Sequence, residues 1–314
     1  IEKITLSVHS YIKLETNGGT PIADLSGTPG ERASLPEPVF SGHMFSGWYK
    51  DSSLKIPAAA VKFPTDEESI TVYAAWDKIL PDVVVDFENV PYENGKWSNP
   101  SFSYNSETMS FPTGGAFSGE KFLKFSYVKG AGNAAYNQAA QSFAMYKDGQ
   151  AVRLESKSAY IMSFWYRADS LAADVRVTAQ TCTANNFYAN AVNYSAGGYT
   201  IRTAAADGEW HEGTVVFTAD PKTDSKGNPA NALFVRINPL SDVNVSVDID
   251  YVSLTKVDNN SAVVSLVIDS SETLFTTVKK GGKITLPIPQ RDNYIFRGWY
   301  EDSSFTKRID GGYT

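Results

Sequence analysis

Cysteine, histidine and charge are all scarce in this sequence. Its single cysteine, Cys182, excludes an intrachain disulfide, and the polar stretch around it indicates a small packing residue. The three histidines lie in unrelated contexts, and none has the spacing of a metal-ligand pair. Charged residues make up 20% of the chain and the net charge is −7, so the basic stripe that nucleic acid or an anionic membrane surface requires is absent.

Catalytic signatures are missing too. The sequence contains no Gly-x-Ser-x-Gly elbow and no phosphate-binding loop. A glycosidase needs two carboxylates across a cleft. Asp248 and Asp250 stand two apart on one expected strand, but Val252 and Leu254 follow where further acids would extend such a cluster. We therefore expect no enzymatic activity, and a hydrolase or lyase is the weakest of the functions considered.

Long apolar runs are absent, so neither a signal peptide nor a transmembrane segment is predicted. The first residues of the sequence, from Ile1 onward, already have a pattern that is typical of a strand. We expect it to be a piece of a larger multidomain protein, with no membrane insertion of its own.

An internal repeat is the strongest positive signal. Phe-Ser-Gly-Trp-Tyr at 45–49 recurs as Phe-Arg-Gly-Trp-Tyr at 296–300, and an Asp-Ser-Ser turn follows each copy. A unit this small needs a large ring to fill its core, so we predict one shared backbone with Trp48 and Trp299 buried in equivalent places. The second copy stops before any counterpart of the closing strand 69–76.

These residues resemble the Listeria–Bacteroides repeat, the B repeat of internalin-type surface proteins. The resemblance is carried by the Asn-Gly-Gly turn at 17–19, the Gly-Trp-Tyr core and the closing Tyr-Ala-Ala-Trp strand at 73–76. It implies small β-grasp-like units in an extracellular, often tandem, stalk. A secreted or cell-surface location in a bacterium follows from it as an expectation.

The segment between the repeats predicts a β-sandwich. Short strands separated by Gly, Asn, Asp and Pro fill it, and no stretch is typical of a helix. The predicted organisation is all-β: a repeat at 1–78, a sandwich at 79–258, and a C-terminally incomplete repeat at 259–314.

This middle segment resembles the jelly-roll carbohydrate-binding modules with the galactose-binding-like fold. The pattern comprises 86–89, 160–165, 208–210 and 248–254. The resemblance implies glycan binding without cleavage. It also implies a structural calcium between the first and last strands, which falls on Glu88 and Asp250, with Asp248 a weaker third ligand. Solvated strand-end acids are the alternative interpretation.

Glycan binding needs flat rings against sugar C–H faces and planar polar groups for hydroxyls. In the strand 159–167, Tyr160, Met162, Phe164 and Tyr166 are expected to face the core, which leaves Trp165 and Arg167 on the opposite face. Candidate binding residues are therefore drawn from this strand and from aromatic–Asn segments: Trp97, Tyr136, Trp165, Phe187, Tyr188, Asn190, Tyr194 and Tyr199.

The leading hypothesis is non-catalytic binding of a polysaccharide or oligosaccharide, with an α-glucan such as starch as the first candidate. A protein-binding adhesin module and a structural stalk are the alternatives. A glycan array separates glycan binding from protein binding.

Overall fold

The computed structural model describes residues 9–40, 42–89, 92–93, 96–97, 102–103, 109–129, 141–147, 150–182, 193–220, 223, 226–268, 273–281, 286, 288–289 and 293–309. The chain divides into two units, one of residues 80–259 and one of residues 1–79 with 260–314. Both units are built from strands, so the all-β class predicted from the sequence is confirmed.

The first repeat is a four-stranded sheet. Its strands are β1 (Ser10–Glu15), β2 (Leu25–Gly27), β3 (His43–Tyr49) and β4 (Ser69–Lys78), in the order β2-β1-β4-β3. β1 and β4 pair in parallel, and the other two pairings are antiparallel. The burial of β1 alternates strictly, which places Ile12 and Leu14 in the core.

Trp48 fills the centre of this repeat. It is 7% exposed, its ring packs edge-on against Phe45 at 5.7 Å, and its indole N–H donates to the Pro36 carbonyl at 2.7 Å. The register of β3 against β4 shifts between Phe45 and Gly47, and Gly47 has a φ of 128°, which favours glycine. The glycine of the motif thus forms the bulge beside the tryptophan.

The middle unit contains fifteen named strands. They are β5 (Val83–Val85), β6 (Tyr92–Glu93), β7 (Lys96–Trp97), β8 (Phe102–Ser103), β9 (Met109–Ser110), β10 (Leu123–Tyr127), β11 (Gln141–Ala144), β12 (Tyr146–Lys147), β13 (Gln150–Ala151), β14 (Ala159–Arg167), β15 (Val175–Cys182), β16 (Asn193–Ile201), β17 (His211–Thr218), β18 (Ala232–Pro239) and β19 (Val245–Lys256).

Two of its sheets form a sandwich. One has the order β17-β14-β19-β10-β9 with β5 paired to β19, and the other has the order β16-β15-β18-β11-β8. Apart from the successive pairs β9–β10 and β15–β16, the strands of these two sheets alternate between them along the chain, as in a jelly roll. Apolar side chains from both sheets, among them Phe143, Phe164 and Val235, make one continuous core. The predicted inward positions Tyr160, Met162, Phe164 and Tyr166 all belong to it.

The second repeat contains the antiparallel pair β20 (Ser261–Val267) and β21 (Thr273–Lys279), followed by the Gly-Trp-Tyr turn. This turn has the same backbone in both copies. Tyr49 bridges Pro57 and Tyr300 bridges Arg308, while Gly47 and Gly298 have φ values of 128° and 121°.

The aspartate after each motif closes the turn in the same way. Asp51 accepts backbone N–H groups of Lys55 and Ile56, and Asp302 accepts those of Thr306 and Lys307. The hydroxyl of Ser304 and these amides hold the pKa of Asp302 at about 2. The shared backbone is therefore present, but Trp299 is half-buried where Trp48 is buried.

Candidate functional site

The outer surface of the five-stranded sheet carries a mixture of polar and apolar side chains. Val175, Val177 and Ala179 of β15 lie in the core, so the period-two alternation turns the residues between them outward. The same alternation applies to β11 and β18. We call the resulting surface the five-strand face; it consists of Ser142, Ala144, Arg176, Thr178, Gln180, Cys182, Ala232, Phe234 and Arg236.

One cross-strand row of this face is polar. Ser142 pairs with Arg236, Arg236 with Thr178, and Thr178 with Gly198. The guanidinium of Arg176 extends over the glycine: a Cβ atom placed on Gly198 would lie 2.9 Å from Arg176 Nε. Three strands thus contribute hydroxyl or guanidinium groups to one row across the sheet, and Arg176 covers the glycine that the fourth strand contributes.

The next rows are apolar apart from one amide. Ala144, Cys182, Ala232 and Phe234 form a small buried cluster of their own, separate from the sandwich core. Gln180 pairs with Phe234 in the register of β15 and β18. Its side chain is therefore set among apolar neighbours next to the polar row.

Two buried polar atoms of this face have no hydrogen-bond partner. Ser142 is 1% exposed and Gln180 is 8% exposed, and neither Ser142 Oγ nor Gln180 Oε1 makes a hydrogen bond in the structure. Most buried polar atoms in proteins are paired, because an unpaired one loses its hydrogen bonds to water without replacement. The neighbouring Ala144, Cys182, Ala232 and Phe234 are fully buried as well, so the protein itself covers this part of the face, whereas Arg176 is exposed and Arg236 is half-buried.

The outer surface of the other large sheet has an aromatic cluster instead. Trp165 stacks on Phe117 with ring centroids 3.8 Å apart, and Trp210 meets Phe117 edge-on at 6.2 Å. Arg167 lies 4.6 Å above the Trp210 ring, pairs with Asp248 at 2.9 Å and donates to the Gly115 carbonyl at 2.9 Å. These contacts fasten the segment around Phe117 onto the sheet and occupy one face of the Trp165 ring.

Glu88 and Asp250 come together beneath the same segment. Glu88 Oε1 accepts the N–H groups of Glu120 and Lys121 at 2.7 and 2.6 Å. Asp250 is fully buried and accepts the N–H groups of Ser118 and Tyr251 at 2.9 and 2.7 Å. Burial raises the pKa of Asp250, and the nearby Glu88 charge raises it further.

A hard cation such as calcium suits this pair, because the two carboxylates lie close enough for their negative charges to repel each other and a bound cation would offset both charges. Within the described residues no group of three or more His, Cys, Asp or Glu side chains converges, so backbone carbonyls or water would have to complete a calcium shell. Calcium at Glu88 and Asp250 stays a prediction. Such an ion would link the segment after β5 to β19 and so act on stability.

If calcium binds there, adding millimolar calcium to chelator-treated protein is expected to raise the melting temperature, since the ion binds only the folded form. Scanning calorimetry of the full chain with and without chelator measures the shift. Magnesium at the same concentration is the control, because its octahedral preference fits a flexible carboxylate–carbonyl site poorly. Identical melting curves in calcium and in chelator would contradict the prediction.

The structure does not gather the predicted binding residues on one surface. Trp165 lies on the sheet opposite the five-strand face. Tyr199 packs against the core, with its hydroxyl 3.2 Å from that of Tyr166, which corrects its prediction as a sugar-stacking residue. The prediction failed because Tyr199 continues the inward alternation of β16 opposite Val177.

The other predicted positions are not described in enough detail to place their side chains. Trp97 and Tyr194 lie in β7 and β16, where only the backbone is described. Tyr136, Phe187, Tyr188 and Asn190 lie outside the described residues. Sequence reasoning overlooked Ser142, Gln180 and Arg236, although the alternation of β15 and β18 contained the signal that they face outward.

Comparison with known proteins gives different matches for the two ends of the chain and for its middle. Residues 12–75 and 267–313 match the Listeria-Bacteroides repeat domain. A protein of Evansella cellulosilytica whose name describes it as a membrane protein is 30% identical over 100 residues, which are 31% of this chain and 14% of that protein. The chain thus spans a small part of that relative's length.

Solved carbohydrate-binding modules are similar to part of the chain. A xylan-binding CBM22 domain from Paenibacillus barcinonensis is 15% identical, with 55% of this chain and 98% of that one covered at a TM-score of 0.35. A module from Cellvibrio mixtus lichenase 5A, solved with cellotriose, is 8% identical, with 57% and 100% covered at a TM-score of 0.33. Identities and TM-scores this low carry no argument about a ligand here. Among the described residues no helix has the length and apolarity to cross a membrane.

Proposed function

We propose that the middle unit binds polysaccharide on the five-strand face without cleaving it. The observation that carries the proposal is the polar row of Ser142, Arg236 and Thr178 across three strands, with the exposed Arg176 over its end. A sugar offers hydroxyl groups that accept hydrogen bonds from a guanidinium group, so it is suited to pair with Arg176.

The polar composition of the face suits a sugar. A row of hydroxyl and guanidinium groups crosses it, and its apolar residues around Phe234 are buried. Sugars present many hydroxyl groups, and binding sites for them contain a few placed polar groups.

The proposal includes no catalytic step. None of the nine residues of the five-strand face is a carboxylic acid. Glu88 and Asp250 lie together elsewhere, and both accept backbone N–H groups, as a structural role requires. Purified protein is therefore expected to release no reducing sugar from the polysaccharides that it binds.

The flanking repeats support a location outside the cell. They match a repeat domain that we associate with bacterial surface proteins of the internalin type, and the proposed arrangement presents the binding unit between two such repeats. Comparing the affinities of several neutral oligosaccharides decides which of them the protein binds. An α-glucan is the first candidate from the sequence, and xylan and cellulose oligosaccharides belong in the same panel because the similar modules are described with them.

The test removes the exposed guanidinium group of the row. Arg176→Gln is expected to weaken glycan binding about tenfold or more, since a hydrogen bond inside the site is lost. Gln180→Met and Ser142→Ala delete buried unpaired atoms, so each is expected to leave the free energy of unfolding unchanged or raise it by about 1 kcal/mol.

Ser126→Ala is the matched control. Ser126 lies on the other sheet and its hydroxyl is 3.2 Å from that of Ser246, so its loss is expected to leave glycan affinity unchanged. Calorimetric titration of the full chain with α-glucan, xylan and cellulose oligosaccharides measures binding, and thermal unfolding measures stability. Full affinity in Arg176→Gln would refute binding on this face.

A further inference from the structure

Only one end of the five-strand face is open to solvent. Of its nine residues, Arg176 is exposed, Arg236 is half-buried and the other seven are buried. Along β15 the exposure falls from Arg176 through Gln180, which is 8% exposed, to Cys182, which has no exposed surface. A ligand therefore reaches the face where β15 begins and where β16 and β18 end.

This accessible part spans three neighbouring strands, and we call it the open end. It consists of one cross-strand row and of the residues two positions further along the same strands: Thr200, Arg176 and Asn238, followed by Arg202, Asp174 and Leu240. All six are exposed or half-buried. Three strands span about 10 Å, and two positions along a strand span about 7 Å. The open end is therefore about as long as a disaccharide.

The outer row of the open end is held together around Asp174. One of its carboxylate oxygens accepts a hydrogen bond from Arg202 Nη1 at 2.9 Å, and the other accepts the Thr203 N–H at 2.9 Å. The N–H of Leu240 donates to the Asp174 carbonyl at 2.9 Å. A carboxylate has about four acceptor positions, so Asp174 keeps the capacity to accept hydroxyl donors from a ligand.

The inner row presents planar polar groups in fixed directions. Arg176 Nη1 donates to Thr200 Oγ1 at 3.2 Å, and the Arg176 guanidinium lies where a side chain at Gly198 would be. Asn238 Nδ2 donates to the Pro239 carbonyl at 3.2 Å, which orients the amide. Groups that are already positioned lose little conformational entropy on binding. With the apolar Leu240 beside them, which is 40% exposed, they have the composition of a small sugar site.

We propose that the protein recognises the end of a glycan chain or branch, and that the open end binds one or two terminal sugar residues. This inference rests on the proposed binding function of the five-strand face. A run of internal sugar residues would have to continue past the open end, where the rest of the face is covered apart from the half-buried Arg236. One or two rings thus make the contacts that the site offers, and additional rings add little affinity.

The first test varies the length of the ligand. The full chain is titrated by calorimetry with malto-, xylo- and cello-oligosaccharides, from the monosaccharide to the hexasaccharide. In a series that binds, the affinity is expected to rise up to the disaccharide and then to change by less than about threefold, because further rings lie beyond the open end. On a face that is accessible along its whole length, each further ring would add contacts and the affinity would keep rising.

The second test counts chain ends. A sample of the polysaccharide that binds is divided, and one half is partially hydrolysed. Both halves then compete at equal mass for protein bound to an immobilised disaccharide. The hydrolysed half is expected to compete more strongly in proportion to its ends, and a branched polymer is expected to compete more strongly than a linear one if branch ends are bound.

Two substitutions locate the site. Asn238→Ala removes the amide of the inner row, and Leu240→Ala removes the apolar side chain of the outer row. Each is expected to weaken disaccharide binding about threefold or more. Ser126→Ala on the other sheet is the control and is expected to leave the affinity unchanged. Thermal unfolding confirms that each variant is folded.

The outcomes separate this inference from the proposed function. A gain of more than about threefold beyond the disaccharide, or equal competition by intact and hydrolysed polymer, overturns recognition of chain ends and leaves polysaccharide binding intact. Full affinity in both Asn238→Ala and Leu240→Ala overturns the assignment to the open end. Absence of binding to every sugar of every length overturns both proposals.

Discussion

Trp48→Ala is expected to lower the free energy of unfolding of the first repeat by about 3–5 kcal/mol, the range for truncation of a buried large aromatic residue. Trp48 is 7% exposed, contacts Phe45 and donates a hydrogen bond to the Pro36 carbonyl. The substitution removes the ring, leaves a cavity and leaves that carbonyl without its donor. A repeat with a core of this size has little apolar surface elsewhere to offset the loss.

Trp299→Ala is the matched control, because the same motif has the same turn and an edge-on Phe296 contact at 5.4 Å, but its ring is half-buried. Its expected effect is smaller than that of Trp48→Ala. Urea unfolding of both variants, followed by tryptophan fluorescence and far-ultraviolet circular dichroism, compares them. Equal losses, or a loss of less than about 1 kcal/mol for Trp48→Ala, would contradict the assignment of Trp48 as the centre of the first core.

The second large effect is expected at Asp250. Asp250→Ala deletes a fully buried carboxylate and leaves the N–H groups of Ser118 and Tyr251 without their acceptor. Each buried donor left unpaired costs about 1–3 kcal/mol, so the middle unit is expected to be strongly destabilised. The segment that carries Phe117 is expected to loosen with it, because Ser118 is its attachment to β19.

Asp242→Ala serves as the control, since Asp242 is exposed and accepts one hydrogen bond from the Tyr127 hydroxyl. Chemical denaturation of the full chain gives the free energies, and limited proteolysis near Phe117 reports the loosening. The predicted calcium effect on melting temperature is expected to disappear in Asp250→Ala and to persist in Asp242→Ala. A loss at Asp250 no larger than that at Asp242 would show that the carboxylate does not hold the segment.

Much of the fold was predictable, because strand periodicity is a local property. The alternation at 159–167 placed Tyr160, Met162, Phe164 and Tyr166 inside, and all four lie in the core. The recurrence of Gly-Trp-Tyr predicted a common turn, which both copies have. The burial of Trp299 was predicted less well, since among the described residues the Gly-Trp-Tyr segment pairs with a neighbouring long strand only in the first copy, where β3 pairs with β4.

The candidate site was harder to predict because its residues are distant in sequence. Ser142, Gln180 and Arg236 come from three strands and meet only through the registers of β11, β15 and β18. The search for segments rich in aromatic residues and Asn selected residues such as Tyr199. The Tyr199 side chain faces the core because Tyr199 pairs with the inward-facing Val177. A sequence pattern indicates which side of a strand a residue faces, but it does not reveal which strands are neighbours.

The most direct test of polysaccharide binding on the five-strand face is a crystal structure of the full chain with the oligosaccharide that binds most tightly in a glycan array. Sugar density is expected on this face, with hydroxyl groups within hydrogen-bond distance of the Arg176 guanidinium group. Sugar bound over Phe117 and Trp165 on the opposite sheet would contradict it, as would an array on which no glycan retains the protein.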